Sequence, residues 1–229
     1  KEFIRGNGMY TVNIAVMALR GNGRWEPVLG VVHAPEFTST WFGGARVPAT
    51  LQNDNGIRRI SSGSDRPIPV IVGSVSHSSP KDREYAEAIG EYVYEGVGSS
   101  LKICRVADGS ADLAPRFGTT SCWDTAAAHA VLNAAGGSLV DPSDQELDYD
   151  IKTEILNPWF LATSGGLGID QWKSHQGPES SQIPSETMNS CTLSDTFPLA
   201  PFRTPVADTS NTSGGMSLAS RTSYPTFLP

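Results

Sequence analysis

The stretch TSCWDTAAAHAVLNAAGGSLVD, residues 119–140, constrains the fold most strongly, because it predicts a helix with a defined start and end. Asp124 is a good N-cap residue and precedes TAAAHAVLNAA, a run of good helix formers. Gly136 and Gly137 supply a left-handed stop, and GSLVD predicts a strand. A cap of this kind stabilises a helix by about 1 kcal/mol, so an aspartate here needs no further role to explain it.

The rest of the chain predicts two kinds of sheet. MYTVNIAVMAL, EPVLGVVHAP and STWFGGA, with a tight turn at Asn22-Gly23, are typical of an antiparallel meander over residues 9–45. The polar stretch 53–67 predicts a boundary. Strands and helices then alternate, beginning with the buried strand IPVIVGSVSH and a helix in which Ser79 is the cap and Pro80 the first residue. This alternation favours an α/β layer.

Three parts follow from these patterns. Residues 1–60 are predicted to form an antiparallel-sheet domain and residues 61–165 a smaller α/β domain. Residues 166–229 are rich in Ser, Thr, Pro and Gly, a composition that buries too little apolar surface to offset the entropy of ordering. We expect this last part to be a disordered tail.

Composition excludes some classes of function. The formal net charge of −7 does not support nucleic-acid binding, which depends on a basic surface. Cys104, Cys122 and Cys191 lack paired spacing, which favours buried thiols in a reducing, cytoplasmic compartment. No apolar run is long enough to span a bilayer, and no secretory signal is visible, although the sequence starts without methionine.

Two further segments could carry chemistry. GVGSSLK, residues 96–102, predicts a Gly/Ser turn that opens a helix, where free amides and Lys102 would attract a phosphate. SVSH, residues 74–77, ends the buried strand, and ligands of α/β sheets bind beyond the carboxyl ends of strands. His77 is therefore a candidate for stacking or hydrogen bonding. Each segment also has a purely structural interpretation, as a capped helix with an exposed lysine and a structural histidine.

Taken together, several sequence segments resemble those of a known protein family. KEFIRGNGMYTVNIAV, PVLGVVHAP, GSSLKICRVADGSADLAPRFG, WDTAAAHAVLNAAGG and LNPWFL are similar to the CysQ-type 3'(2'),5'-bisphosphate nucleotidases of the inositol monophosphatase-like superfamily. The resemblance covers about residues 1–162. WDTAA followed by AGG is specific to the superfamily, whereas GSSLK and PRFG indicate the CysQ branch.

The resemblance implies a layered α+β / α/β sugar-phosphatase fold, in which an antiparallel sheet leads into a smaller α/β domain. It implies a Mg²⁺-dependent hydrolase that removes the 3'-phosphate of 3'-phosphoadenosine 5'-phosphate in sulfate assimilation, giving AMP and phosphate. The partner is a small nucleotide bisphosphate. The site residues that it implies are Asp124 as a metal ligand, and Ser74, His77, Gly98, Lys102, Arg116 and Asp124 as substrate contacts.

The sequence also departs from the family. The superfamily carries an upstream acidic residue and a DPxDGT motif that supply most metal ligands, and neither is present here. The acidic stretch VDPSDQELDYD, residues 140–150, predicts a solvated turn rather than a substitute. Because Mg²⁺ with few protein ligands binds weakly, we expect the 229 residues to be inactive or nearly so, and we assign no catalytic residue. Loss of the opening helices is expected to expose an apolar sheet face and to lower solubility.

Three alternatives stay open. A related enzyme could act on an inositol or sugar phosphate, although GSSLK favours a nucleotide. A non-catalytic module could bind a nucleotide without hydrolysing it. The chain could also be a degraded or mis-spliced gene product without activity. The sequence leaves the oligomeric state open.

Overall fold

The computed structural model describes residue 4 and residues 6–75, 79–152 and 154–175. Within these ranges, ten strands form two five-stranded sheets, in the orders β1-β2-β3-β4-β5 and β7-β6-β8-β10-β9. The strands are β1 (Val12–Leu19), β2 (Trp25–Ala34), β3 (Ser39–Gly44), β4 (Val47–Asn53), β5 (Gly56–Arg59), β6 (Val70–Ser74), β7 (Val93–Val97), β8 (Leu113–Arg116), β9 (Gly137–Val140) and β10 (Phe160–Ser164). The helices are α1 (Pro80–Ile89), α2 (Leu101–Ala107), α3 (Cys122–Ala134) and α4 (Ile169–Lys173).

The first sheet is an antiparallel meander, as the sequence predicted for residues 9–45. Ile14 lies opposite Val31, which in turn lies opposite Phe42. The prediction missed β4 and β5, and the supposed boundary at 53–67 begins inside this sheet. The reason is that β5 is an exposed edge strand with two arginines, so its sequence lacks the apolar alternation of a half-buried strand.

The second sheet is mixed. Strands β6, β7 and β8 are parallel, whereas β10 runs antiparallel to both β8 and β9. The alternation of strands and helices through β9 is confirmed, and β10 was not predicted. One hydrophobic cluster contains side chains from both sheets, including Val32 and Ala162. The division into domains 1–60 and 61–165 therefore stays a prediction.

Helix α3 lies at the centre of this shared core. Every residue from Thr125 to Leu132 is buried, as expected for a helix covered on all sides. The first sheet approaches α3 very closely, since a Cβ atom added at Gly30 would lie 1.9 Å from the carbonyl oxygen of Ala127. Helix α2 lies beside α3 and buries Leu101 and Cys104 in the same cluster. Glycine at position 30 is therefore a condition for this close approach.

A buried histidine on α3 is fully paired. Nδ1 of His129, which is 1% exposed, lies 3.0 Å from the Tyr149 hydroxyl, and Nε2 lies 2.6 Å from Oε1 of Glu146. Asn133 Nδ2 also donates to Oε1 of Glu146, at 2.8 Å. Burial alone would raise the pKa of Glu146, but the hydrogen bonds of His129 and Asn133, with the charges of His129 and Arg20, lower it below its ordinary value. The ionised carboxylate is therefore the form that this network stabilises.

Helices α1 and α4 lie against each other and join a second cluster centred on Trp172. Trp172 is fully buried, its ring centroid lies 5.0 Å from that of Phe117 and 5.7 Å from that of Tyr85, and Nε1 donates to the Asp141 carbonyl at 2.8 Å. The predicted disordered tail, 166–229, is thus wrong for residues 166–175, because α4 belongs to the core. Residues 176–229, with Cys191, lie outside the described residues.

One face of the edge strand β1 is apolar and largely exposed within the described part of the chain. Val12 is 51% exposed, Ile14 61% and Val16 51%, all on one face of β1. Continuous apolar surface of this kind promotes association, so poor solubility stays a prediction. In the described part of the chain, no helix is long and apolar enough to cross a membrane.

The burial of Trp172 gives a direct test of α4. We expect Trp172→Ala to lower the free energy of unfolding by about 3–5 kcal/mol, because it removes a large buried ring. Trp123→Ala is the matched control: that side chain is 58% exposed, so its loss should change stability by about 0.5 kcal/mol or less. Denaturant unfolding measures both. An unchanged midpoint for Trp172→Ala would show that α4 does not belong to the core.

The lowered pKa of Glu146 predicts a pH dependence of stability. Its contribution is present above the ordinary pKa of 4.5 and is lost as the pH falls through the lower folded-state pKa. Glu146→Gln keeps an oxygen acceptor but does not titrate, so the stability advantage of the wild type should shrink below about pH 4.5. Urea unfolding of both proteins at several pH values measures this. A difference that is constant with pH would contradict the assigned pairing.

Candidate functional site

The carboxyl ends of three parallel strands bring most of the predicted residues to one edge of the second sheet. Ser74 ends β6 and lies opposite Val97, the last residue of β7, so Gly98 follows directly beside it. Arg116 ends β8, which lies on the other side of β6. Ligands of α/β sheets bind at such an edge. The predicted contact at His77 lies outside the described residues.

The turn between β7 and α2 is held in an unusual conformation. Ser99 has a φ of 52°, in the left-handed region that non-glycine residues rarely adopt. Nζ of Lys102 donates to the carbonyl oxygens of Ser99, at 2.9 Å, and of Val97, at 3.3 Å. The Gly98 amide, predicted to be free, donates to Sδ of Met9 at 3.3 Å. Lys102 thus braces the turn in this structure.

Strand β1 connects this turn to α3, a link that the sequence analysis missed. Thr11 shares hydrogen bonds with the hydroxyls of Ser99 and Ser100, and Asn13 contacts both Ser100 and the Trp123 carbonyl. A signal was available, because Thr11, just before β1, and Asn13, within it, alternate in sequence with the apolar residues Val12 and Ile14 of the exposed face. Polar residues at such positions need partners.

The start of α3 differs from the prediction in one respect. The N-cap is Ser121, and Asp124 occupies the third helical position of a capping box. Oδ2 of Asp124 accepts a hydrogen bond from the Ser121 amide at 2.9 Å. The residue is exposed, and within the described chain Oδ1 accepts no hydrogen bond. Asp124 therefore stabilises the helix through one oxygen and presents the other at the surface.

Asn157 fixes the first turn of α3 from outside. Nδ2 lies 3.0 Å from Oγ1 of Thr120, 2.9 Å from the Ser121 carbonyl and 3.0 Å from Oγ1 of Thr125. Its backbone amide also donates to the Thr120 carbonyl, at 2.9 Å. LNPWFL is one of the segments that resemble the family, but the sequence analysis assigned no role to this residue. The side-chain amide of Asn157 thus holds in place the helical turn that carries Asp124.

Arg116 lies in the field of Asp124. Its guanidinium folds back over Gly118, and Nη2 donates to the Thr119 carbonyl at 3.2 Å. Burial lowers the pKa of Arg116, whereas the negative charges of Asp82 and Asp124 oppose this change. Among the described residues Nε is buried without a hydrogen-bond partner. The edge thus holds a partly desolvated cation as well as a carboxylate.

These residues do not by themselves form a magnesium site. The described ranges contain no group of three His, Cys, Asp or Glu residues that could hold a metal ion. The acidic stretch 140–150 is engaged elsewhere: Asp141 caps the amides of its own turn, Asp144 pairs with Lys173 and Asp148 pairs with Arg24. The described residues therefore fit at most one protein ligand for Mg²⁺ at this edge, from Asp124.

Comparison with known proteins identifies the family. The model of the inositol monophosphatase family matches residues 1–176. The chain belongs to the inositol monophosphatase family. Among curated members, it is 42% identical over 163 residues to the 3'(2'),5'-bisphosphate nucleotidase CysQ of Salmonella typhimurium, covering 71% of this chain and 63% of that protein. It is 41% identical over 160 residues to CysQ of Escherichia coli K12, covering 70% and 62%.

Solved structures of the family share the fold. CysQ from Bacteroides thetaiotaomicron superposes with a TM-score of 0.63 at 32% identity, over 71% of this chain and 65% of that one. SuhB of Mycobacterium tuberculosis gives a TM-score of 0.56 at 21% identity, over 76% and 66%, which shows the fold alone. The predicted family and layered fold are confirmed. The chain spans somewhat less than two thirds of the length of these curated relatives.

The role of Asn157 predicts a selective effect. Asn157→Asp keeps the shape but removes both amide N–H groups and places a carboxylate oxygen against the Ser121 carbonyl, so it should lower the free energy of unfolding by about 1–3 kcal/mol. In the control Asn53→Asp, the side chain already accepts from the Asn55 amide, so stability should change by about 0.5 kcal/mol or less. Denaturant unfolding compares the two. Equal effects would contradict the assigned clamp.

Proposed function

We propose that this chain acts on 3'-phosphoadenosine 5'-phosphate as a 3'(2'),5'-bisphosphate nucleotidase of sulfur metabolism, releasing the 3'-phosphate and leaving AMP. The observation that carries the proposal is that Ser74, Gly98 and Arg116 lie at the carboxyl ends of neighbouring parallel strands, while the charge of Asp124 acts on Arg116. The identity of 41–42% to proteins named CysQ supports a nucleotide rather than an inositol phosphate. The chain is acidic overall, but the partly desolvated Arg116 provides a local positive charge that would attract a small anion to this edge.

Each residue has a proposed task. Asp124 offers an exposed oxygen to a cation, and Arg116 offers a positive charge to a phosphate. Gly98, which follows β7, has no side chain and so allows the nucleotide to approach the backbone. Ser74, at the end of β6, lines the same approach. Lys102 holds the turn from its carbonyl side. His77, in the segment after β6, is proposed as a nucleotide contact.

Magnesium is the proposed cofactor, with Asp124 as one ligand. Complete coordination needs oxygen ligands beyond those that the described residues bring to this edge. This observation favours a second candidate function for the 229 residues, which is nucleotide binding without hydrolysis. The described free thiols, Cys104 and Cys122, support a proposed cytoplasmic location, since reducing compartments keep cysteines unpaired.

Calorimetry with AMP, with and without Mg²⁺, tests the proposal. We expect the wild type to bind AMP and Mg²⁺ to tighten binding about tenfold, or by about 1.4 kcal/mol. Asp124→Asn should remove the magnesium effect but keep magnesium-independent binding. Because asparagine still accepts from the Ser121 amide, the free energy of unfolding should fall by about 1 kcal/mol or less.

Two results would overturn parts of the proposal. An equal magnesium effect in Asp124→Asn and the wild type would mean that Asp124 only caps the helix. Binding of inositol 1-phosphate in place of AMP would reassign the substrate class to the related phosphatases. Binding of neither compound would contradict the nucleotidase assignment.

A further inference from the structure

Thr11, which directly precedes β1, and Asn13, within that strand, are polar where apolar side chains would be expected. Thr11 and Asn13 share a face with Ala15 and Met17, which contact the buried core, while the opposite face of the strand is exposed. A polar group on an inward face costs free energy unless it is hydrogen-bonded. Their presence on this face therefore requires specific partners.

The partners come from a segment far away in sequence. Oγ1 of Thr11 lies 2.5 Å from Oγ of Ser99 and 2.8 Å from Oγ of Ser100. Oγ of Ser100 also donates to Oδ1 of Asn13 at 2.8 Å. Ser100 is 4% exposed, so these bonds are shielded from water and stronger than surface bonds. Thr11 and Asn13 thus form hydrogen bonds with both serines of the turn.

The same strand reaches the helix that carries Asp124. Nδ2 of Asn13 lies 3.5 Å from the carbonyl oxygen of Trp123, the residue before Asp124. Asn13 therefore faces Ser100 with one end of its amide and the first turn of α3 with the other.

The turn also needs support for its own conformation. Ser99 is left-handed, and such a residue persists only when its surroundings hold it. Lys102 donates to the backbone carbonyl of Ser99, and Thr11 shares a hydrogen bond with the Ser99 hydroxyl. Removing either side frees the turn to relax, which would move Gly98 and Ser99 relative to Asp124.

We propose that Thr11 and Asn13 are positioning residues of the nucleotide site, holding the turn at residues 97–100 in register with the first turn of α3. The inference rests on the proposed function, since it assumes that this turn contacts the nucleotide. Neither residue touches the reacting atoms. Their effect is on affinity, because a turn ordered before binding does not have to be ordered by the ligand.

Paired substitutions at one position separate positioning from general stability. Thr11→Val has the same shape but lacks both hydroxyl bonds, whereas Thr11→Ser keeps the hydroxyl and loses only a methyl group. We expect the Kd for AMP with Mg²⁺ to rise about tenfold in Thr11→Val and to stay within about twofold of the wild type in Thr11→Ser. Amide hydrogen exchange at residues 97–101 should speed up in Thr11→Val alone, with the exchange of β6 and α3 unchanged.

Ser100→Ala removes the Thr11–Ser100 bond from the other side, together with the Ser100–Asn13 bond, and serves if Thr11→Val does not fold. It should weaken AMP binding by a similar factor, and the double variant should lose less than the sum of the two single losses, because the two residues share one bond of one network. Equal AMP affinity in the wild type and Thr11→Val, or additive losses in the double variant, would overturn this inference and leave the proposed function intact. If the wild type itself fails to bind AMP, the proposed function and this inference both fail.

Discussion

The contact between α3 and the first sheet at Gly30 is the constraint on which the rest of the structure depends. Because a side chain at Gly30 would overlap the Ala127 carbonyl, the sheet can approach the helix backbone itself. The helix is alanine-rich and buried all round, so both sheets come close to it. The direction of α3 then decides where its first turn emerges, which is where the charge of Asp124 acts on Arg116 at the end of β8.

Polar groups give this apolar arrangement a single register. His129 is paired at both ring nitrogens, and Asn157 contacts three acceptors at the first turn of the same helix. Apolar side chains of similar size tolerate small shifts along a helix, whereas a buried polar group that loses its partner is costly. The position of the exposed Asp124 oxygen therefore depends on contacts made by other residues of the same helix, Ser121, Thr125 and His129.

Much of the fold was readable in the sequence, and the errors have physical causes. The meander, the α/β alternation and the capping of α1 by Ser79 follow local rules, and the structure contains them. The edge strand β5 and the short helix α4 were missed, since neither has a long apolar period. Asp124 was taken for the N-cap because aspartate suits both that position and the third one, and only the backbone conformation at Ser121 separates them.

The sequence alone determined the family and the identity of the segments, because caps, turns and strand periods involve residues close together in the chain. Only the tertiary structure decided which segments meet. Thr11 and Ser99 are 88 positions apart, and no local rule relates them. Their contact arises because β1, which follows Thr11, and α2, which follows Ser99, both pack against the same buried helix, α3. The candidate site is thus a product of how the two sheets share α3.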